Sequence, residues 1–358
     1  MGQNAEVPTE STQLPLLTGL RGLAASVVLI SHTAIVGMLP TVFGHGFGQV
    51  GVMIFFVLSG FLMAYLYIGR KPSKKNVLSY VRARVGRVAP LYLAVVLVSI
   101  VVSNSVYEHF RYSLPLDNAG QILQATLFVQ APWELWTIPV EVQFYAAFVF
   151  AWLLYPKMGR AAPIVVGTVV SFPAAIYLGL YQEKPSILPT YAFAFFLGAI
   201  TGVYLPQLKR FLNGRMPGFL GALFLLLLFV NLPALRDEMG LSISPGSVYI
   251  STWLDPATWF VVYGLFVCCL MASPTLAILD SRPFIFLGEI SYGLYLLHYP
   301  VLEITARFVG TSLLGLIVGV VGSTGLAWLS YRYFELPVMR CVRGRKPSRT
   351  IGTDEPAP

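Results

Sequence analysis

"LTGLRGLAASVVLISHT", residues 17 to 33, is apolar enough to enter a bilayer, yet it contains Arg21 and His32. The two are eleven positions apart. At about 100° per residue that is three turns and about 20° more, so both lie on one helix face, roughly 16 Å apart along the axis. An ionisable group in a membrane helix is costly and usually faces a protein interior or a watery path. Each residue also has a plainer reading. Arg21 can snorkel to headgroups, and His32 can make a helix-to-helix hydrogen bond. Together, an anion-binding cation and a titratable base on one face suggest a path for an acyl thioester, because their spacing is about the length of a pantetheine arm.

The rest of the chain agrees with a membrane setting. Of 358 residues 56% are hydrophobic and 11% charged, and the mean hydropathy is +0.71, outside the range of water-soluble domains. The 32 Gly and 25 Pro are scattered without a repeat, as expected where helices pack closely or kink. The formal charge of +8 does not point to nucleic acid, since the basic residues fall between apolar runs, where topology alone would put them. Three cysteines, including the adjacent Cys268 and Cys269 inside an apolar run, make neither a disulfide framework nor a zinc spacing.

Runs of the length needed to span a bilayer, about 17 to 25 residues, occur near 17–39, 49–69, 84–105, 139–156, 162–181, 189–206, 217–233, 257–273, 285–308 and 311–334. This predicts an all-α polytopic protein with about ten transmembrane helices. Arg70, Lys71, Lys74, Lys75 and Arg82 mark the loop after the second run as cytoplasmic. With that assignment Lys157, Arg160, Lys209, Arg210, Arg215, Arg282 and the basic tail beyond Pro337 also fall inside, and both termini are cytoplasmic. The expected organisation is a tail over 1–16, one membrane domain over 17–336 and a basic cytoplasmic tail over 337–358. The first residues lack a basic n-region, so no cleaved signal peptide is expected. Two outer segments, about 106 to 138 and 234 to 256, exceed connector length. The first contains "GQILQATLFVQAPWELW" and reads as either part of a lid or vestibule, with Trp133 and Trp136 as interface anchors, or an ordinary surface loop.

Six stretches resemble the acyltransferase-3 family of integral membrane acyltransferases, in that family's order. They are the opening segment with its Arg, ten residues, His pattern; "GVMIFFVLSGFLMA", 51 to 64; "RARVGRVAPLYL", 82 to 93; "LWTIPVEVQFYA", 135 to 146; "FLGEISYGLYLLHYPV", 286 to 301; and "SYRYFELP", 330 to 337. The chain departs from the usual fourth stretch at Pro139 and Val142, which leaves Glu141 as its one carboxylate. The resemblance implies an O-acyltransferase, in the first place an acetyltransferase, of a bacterial inner membrane. Its donor would be cytoplasmic acetyl-CoA, with no permanently bound cofactor. Its acceptor would be a hydroxyl of an exopolysaccharide or lipopolysaccharide unit, or else a macrolide-type small molecule. With no hydrolase-like domain after the last run, transfer would finish within the membrane domain. A transporter or flippase of a lipid-linked sugar is the rival from another class.

On this reading Arg21, Arg84 and Arg87 bind acyl-CoA. The latter two begin the third helix, where guanidinium forks and a helix N-terminus both favour phosphate. His32 is the general base. Glu141, placed in the first turn of the fourth helix, orients His32, holds its imidazolium or binds sugar hydroxyls. Tyr145 lines the acceptor pocket, with Gln143 and Phe144 as further candidates. Ser291, Tyr295 and His298 join it from one helix face, being spaced i, i+4, i+7, while Tyr292 falls on another face. Ser59 and Gly60 read as close helix packing.

Overall fold

The computed structural model describes residues 15–105, 114–181, 187–213, 215–241 and 248–342. Every regular element among them is helical. The opening stretch forms α1, Pro15–Ile35. Helix α2, Phe47–Met63, runs on through a π turn at Ala64–Ile68, and α3 is Lys74–Ser105. A short α4, Ala119–Thr126, and a 3-10 turn, Trp133–Trp136, lead to α5, Thr137–Met158, and α6, Ala161–Tyr181. Then come α7, Leu188–Val203; α8, Leu205–Leu212; α9, Leu220–Val230; α10, Pro233–Glu238; and α11, Val248–Leu254. The chain continues with α12, Pro256–Leu270; α13, Arg282–Glu289; α14, Ser291–Phe308; and α15, Leu313–Ser330. A second π turn, Tyr331–Glu335, joins α15 to α16, Leu336–Val342.

A helix falls on each of the ten apolar runs, but not all are built to cross a bilayer alone. Helix α9 has 11 residues, which reach about 16 Å against a hydrocarbon core of about 30 Å. Helices α7 and α8 meet at a 73° bend, and α12 meets the 3-10 segment Pro274–Asp280 at 85°. Among the described residues five helices qualify as spans by length and composition, or seven if each bent pair counts as one. The protein is thus an all-helical membrane protein with fewer self-sufficient spans than apolar runs.

The membrane setting inverts the usual meaning of exposure. In the apolar window of α1, 72% of residues are buried within the protein, against 22% for the Leu313–Val342 span. So α1 lies inside the bundle, while Leu313, Leu314 and Val321 of α15 turn outward. Enclosure is how α1 accommodates Arg21 and His32: their neighbours are helices, not acyl chains.

Close backbone approach builds this interior. A Cβ on Gly22 would lie 2.2 Å from the Phe284 carbonyl oxygen, and one on Gly288 would lie 2.0 Å from that of Thr18, so α1 and α13 touch backbone to backbone. Gly60 and Gly198 do the same for α2 and α7, with would-be Cβ contacts of 1.8 Å to Phe195 O and 2.0 Å to Val57 O. Such small-residue contacts hold membrane helices together where no hydrophobic drive separates protein from lipid. Cys268 and Cys269 are buried on α12, as packing residues would be.

Candidate active site

A cavity enclosing about 720 Å³ of non-atom space, part of it open to solvent, lies between α1, α2, α3, α5 and α14. Arg21, Arg84, Arg87, Glu141, Tyr145, Ser291 and Tyr295 all line it, joined by Ser59 and Tyr292. Residues up to 274 positions apart in the chain thus converge on one space, and three of them are arginines.

Each arginine is held by its element. Arg21 rides on α1 and its Nη2 donates a 3.1 Å hydrogen bond to Ser291 Oγ, which itself donates to Gly288 O at 2.9 Å. Arg84 is buried, with its guanidinium carbon 5.9 Å from the centroid of the Tyr145 ring. Arg82 is exposed and does not line the cavity. One expectation about this helix needs correction. Helix α3 begins at Lys74, ten residues before Arg84, so the helix N-terminus is not available to share their anion. The positive potential here comes from the guanidiniums alone, gathered in a low-dielectric wall.

Glu141 lines the same cavity as the arginines, but its setting also differs from expectation. It is the fifth residue of α5, past the first turn, so the helix-end dipole does little for it. Its Oε1 accepts hydrogen bonds from Ser59 Oγ at 2.7 Å and from the Tyr145 hydroxyl at 2.6 Å. Ser59 is therefore a polar member of the site and not only a packing residue. Of the further candidates, Phe144 is fully buried in the core. Gln143 turns away, donating to the carbonyls of Phe128 and Val129 and accepting from Leu188 N. Tyr292 belongs to the wall after all: its hydroxyl donates to Val88 O at 2.5 Å, so its face of α14 meets α3.

His32 and His298 do not line the cavity; the His298 ring centroid lies 6.1 Å from that of Tyr295, which does. His298 Nε2 lies 2.9 Å from His32 Nδ1, and the Tyr299 ring meets His32 edge-on with centroids 5.1 Å apart. The carboxylate at His32 is not Glu141. It is Glu134, whose Oε1 is 3.4 Å from His32 Nε2. The segment that carries it folds back onto the bundle: Tyr92 OH donates to Ala125 O, Tyr295 OH donates to Glu134 O, and Leu135 is fully buried. Trp133, at φ 53° in the left-handed region, stays exposed while Trp136 packs on Tyr191 with centroids 4.5 Å apart. Only the first of the two tryptophans is placed as an interface anchor. Glu134 had a readable signal, an acid between two tryptophans at the end of an apolar segment, but nothing in the sequence says which histidine it meets.

Three guanidiniums, one hydrogen-bonded carboxylate and a histidine pair at the far end form a site that can bind a polyanion at one end and move a proton at the other. Comparison with known proteins agrees with such chemistry. A family model described as an acyltransferase domain matches residues 15–332. The chain is 24% identical over 374 residues to O-acetyltransferase OatA of Staphylococcus aureus, covering 91% of this chain and 57% of the relative. It is also 24% identical to peptidoglycan O-acetyltransferase OatA of Listeria monocytogenes, over 91% and 56% of the two lengths. With acyltransferase MdmB of Streptomyces mycarofaciens it shares 25% identity over 98% of both. The chain thus spans little more than half the length of the OatA proteins it matches. No solved structure matches it significantly.

Proposed function

The chain belongs to the acyltransferase-3 family, and on that premise we propose that it transfers an acetyl group from cytoplasmic acetyl-CoA to a hydroxyl of a cell-surface glycan. The cavity carries the reading: it gathers Arg21, Arg84 and Arg87 with Tyr295, whose ring centroid lies 6.1 Å from that of His298, the neighbour of His32. The arginines hold the phosphates of the donor, and the pantetheine arm runs past Glu141 toward the histidines. His32 takes the proton of the acceptor hydroxyl. The oxygen attacks the thioester carbonyl, the C–O bond forms, the C–S bond breaks, and the thiolate leaves with the proton that His32 returns. Ester and coenzyme A thiol are the products, with no further reactant.

The names of the OatA relatives support a glycan acceptor. The match to MdmB, nearly end to end in both chains, supports acyl transfer and names no acceptor. The placement of basic residues supports ten crossings of a bacterial inner membrane with both termini in the cytoplasm.

The test is mass spectrometry of surface glycans from cells with the wild type, without the protein, and with His32→Ala at matched membrane expression. A mass increment of one acetyl group with the wild type alone is expected. Glycans identical in all three move the acceptor to small molecules. An unmodified glycan precursor accumulating without the protein means transport, not transfer.

A further inference from the structure

The ring nitrogens of the histidine pair can be assigned from their partners. His298 Nδ1 lies 2.9 Å from Leu294 O and 2.8 Å from Tyr295 O. Both are acceptors only, so Nδ1 bears a proton. His298 is 1% exposed, and burying it as a cation is costly, so it is neutral and its Nε2 offers a lone pair. His32 Nδ1 faces that lone pair at 2.9 Å and Val28 O at 3.1 Å, again two acceptors. The His32 proton therefore sits on Nδ1. That leaves Nε2 as the basic atom, and Nε2 is the one turned toward Glu134.

Glu134 completes the arrangement. Its side chain is 21% exposed, yet its Oε2 is buried and has no hydrogen-bond partner among the described residues. A buried carboxylate oxygen with no donor costs free energy unless something supplies one. The groups facing His32 are Glu134 from the 3-10 turn and, from α14, His298 and the Tyr299 ring. Glu134 is the acid among them.

We infer that Glu134 is the carboxylate partner of His32, and that His298 fixes His32 in the Nδ1–H tautomer so that Nε2 accepts the proton of the acceptor hydroxyl. This rests on the reading of His32 as general base. When Nε2 takes the proton, the imidazolium N–H faces Glu134 Oε1, and the ion pair holds the charge until the leaving thiolate removes it. Glu134 and His298 are positioning residues; His32 alone exchanges the proton.

Two readouts on the full chain test this. In lipid nanodiscs with ring-15N histidine, of which there are four, the neutral His32 ring shows its proton on Nδ1. A ring protonated on Nε2 overturns the inference, and this spectrum needs no acceptor. In cell membranes given radiolabelled acetyl-CoA, Glu134→Gln lowers turnover roughly 100-fold with donor KM nearly unchanged. Glu134→Asp restores part of the turnover. Wild-type turnover in Glu134→Gln overturns the role of Glu134 while His32→Ala remains inactive. Wild-type turnover in His32→Ala removes the underlying reading instead, whatever the ring spectrum shows.

Discussion

Ser59 on α2 and Glu141 on α5 are joined by a 2.7 Å hydrogen bond, and the Tyr145 hydroxyl donates to the same carboxylate oxygen at 2.6 Å. One oxygen thus ties two helices together at the cavity wall and fixes where the negative charge stands opposite three arginines. Hydrogen bonds to an ionised group are about twice as strong as neutral ones.

Ser59→Ala and Tyr145→Phe should each lower kcat/KM by about tenfold or more, the loss expected for a hydrogen bond to a charged group of about 1.5–3 kcal/mol. Because they share an acceptor, the double variant should lose less than the product of the two. Steady-state kinetics on the four proteins of this cycle checks it, and full multiplicativity would separate the two bonds energetically.

Replacing Arg84 and Arg87 together by Ala should raise the apparent KM for acetyl-CoA by about 10- to 100-fold with a smaller effect on kcat, since charge-assisted contacts to phosphate are made in ground and transition state alike. Lysine at both positions should recover only part of the binding, lacking the planar fork. Coenzyme A binding measured by calorimetry in detergent gives the same comparison without turnover. Unchanged affinity would leave the pair with a topological role only.

Gly22→Ala and Gly198→Ala each force a Cβ to within about 2 Å of a carbonyl oxygen on the facing helix. Backbone cannot yield as a side chain does, so each should destabilise by about 1–3 kcal/mol or more. Gly325→Ala on α15, where a Cβ would meet nothing within 4 Å, is the matched control and should be neutral or slightly stabilising. Thermal unfolding of the three variants in one detergent decides; equal midpoints would rule out the close-approach account.

Asp255 caps α12, accepting from Ala257 N at 3.2 Å and Thr258 N at 2.7 Å, and it pairs with Arg236 of α10. Asp255→Ala removes the cap and leaves the Arg236 guanidinium without this carboxylate, for a combined cost of about 3–5 kcal/mol. Asp255→Asn keeps the cap and should recover roughly 1 kcal/mol of that loss. Neither should change acetyl-CoA affinity, because both residues lie outside the cavity wall. Paired unfolding and binding measurements separate the two effects.

Much of the site was legible because apolar helices constrain which residues can be functional. A charged side chain on a buried membrane helix has few neutral explanations, so Arg21, His32, Arg84, Arg87, Glu141 and His298 stand out from their surroundings. Periodicity then put Arg21 and His32 on one face of α1 and Ser291, Tyr295 and His298 on one face of α14, and the structure brings these faces together through the Arg21–Ser291 and His32–His298 contacts. Family motifs added which chemistry such a face serves.

Other features were not legible. Helix ends were misplaced at Arg84 and Glu141 because apolarity marks where a chain enters hydrocarbon, whereas a helix ends where its backbone hydrogen bonds end. The span count was read from run length alone, and run length does not reveal the bends after α7 and α12. Ser59 looked like a packing residue and Tyr292 looked to fall on another face, since a single hydroxyl in an apolar helix carries no signal of its partner.

The sequence by itself determined that this is an all-helical membrane protein, which face of α1 is polar, and to which family of enzymes it belongs, because hydropathy, helical period and motif spacing are properties of neighbours along one chain. Only the tertiary structure decided that Glu134 and not Glu141 meets His32, that His298 Nε2 faces its Nδ1, and that Glu141 answers to Ser59 and Tyr145. Those pairings depend on the rotation and close approach of helices far apart in the chain, set by glycine contacts and side-chain packing summed over the whole bundle, which no local pattern encodes.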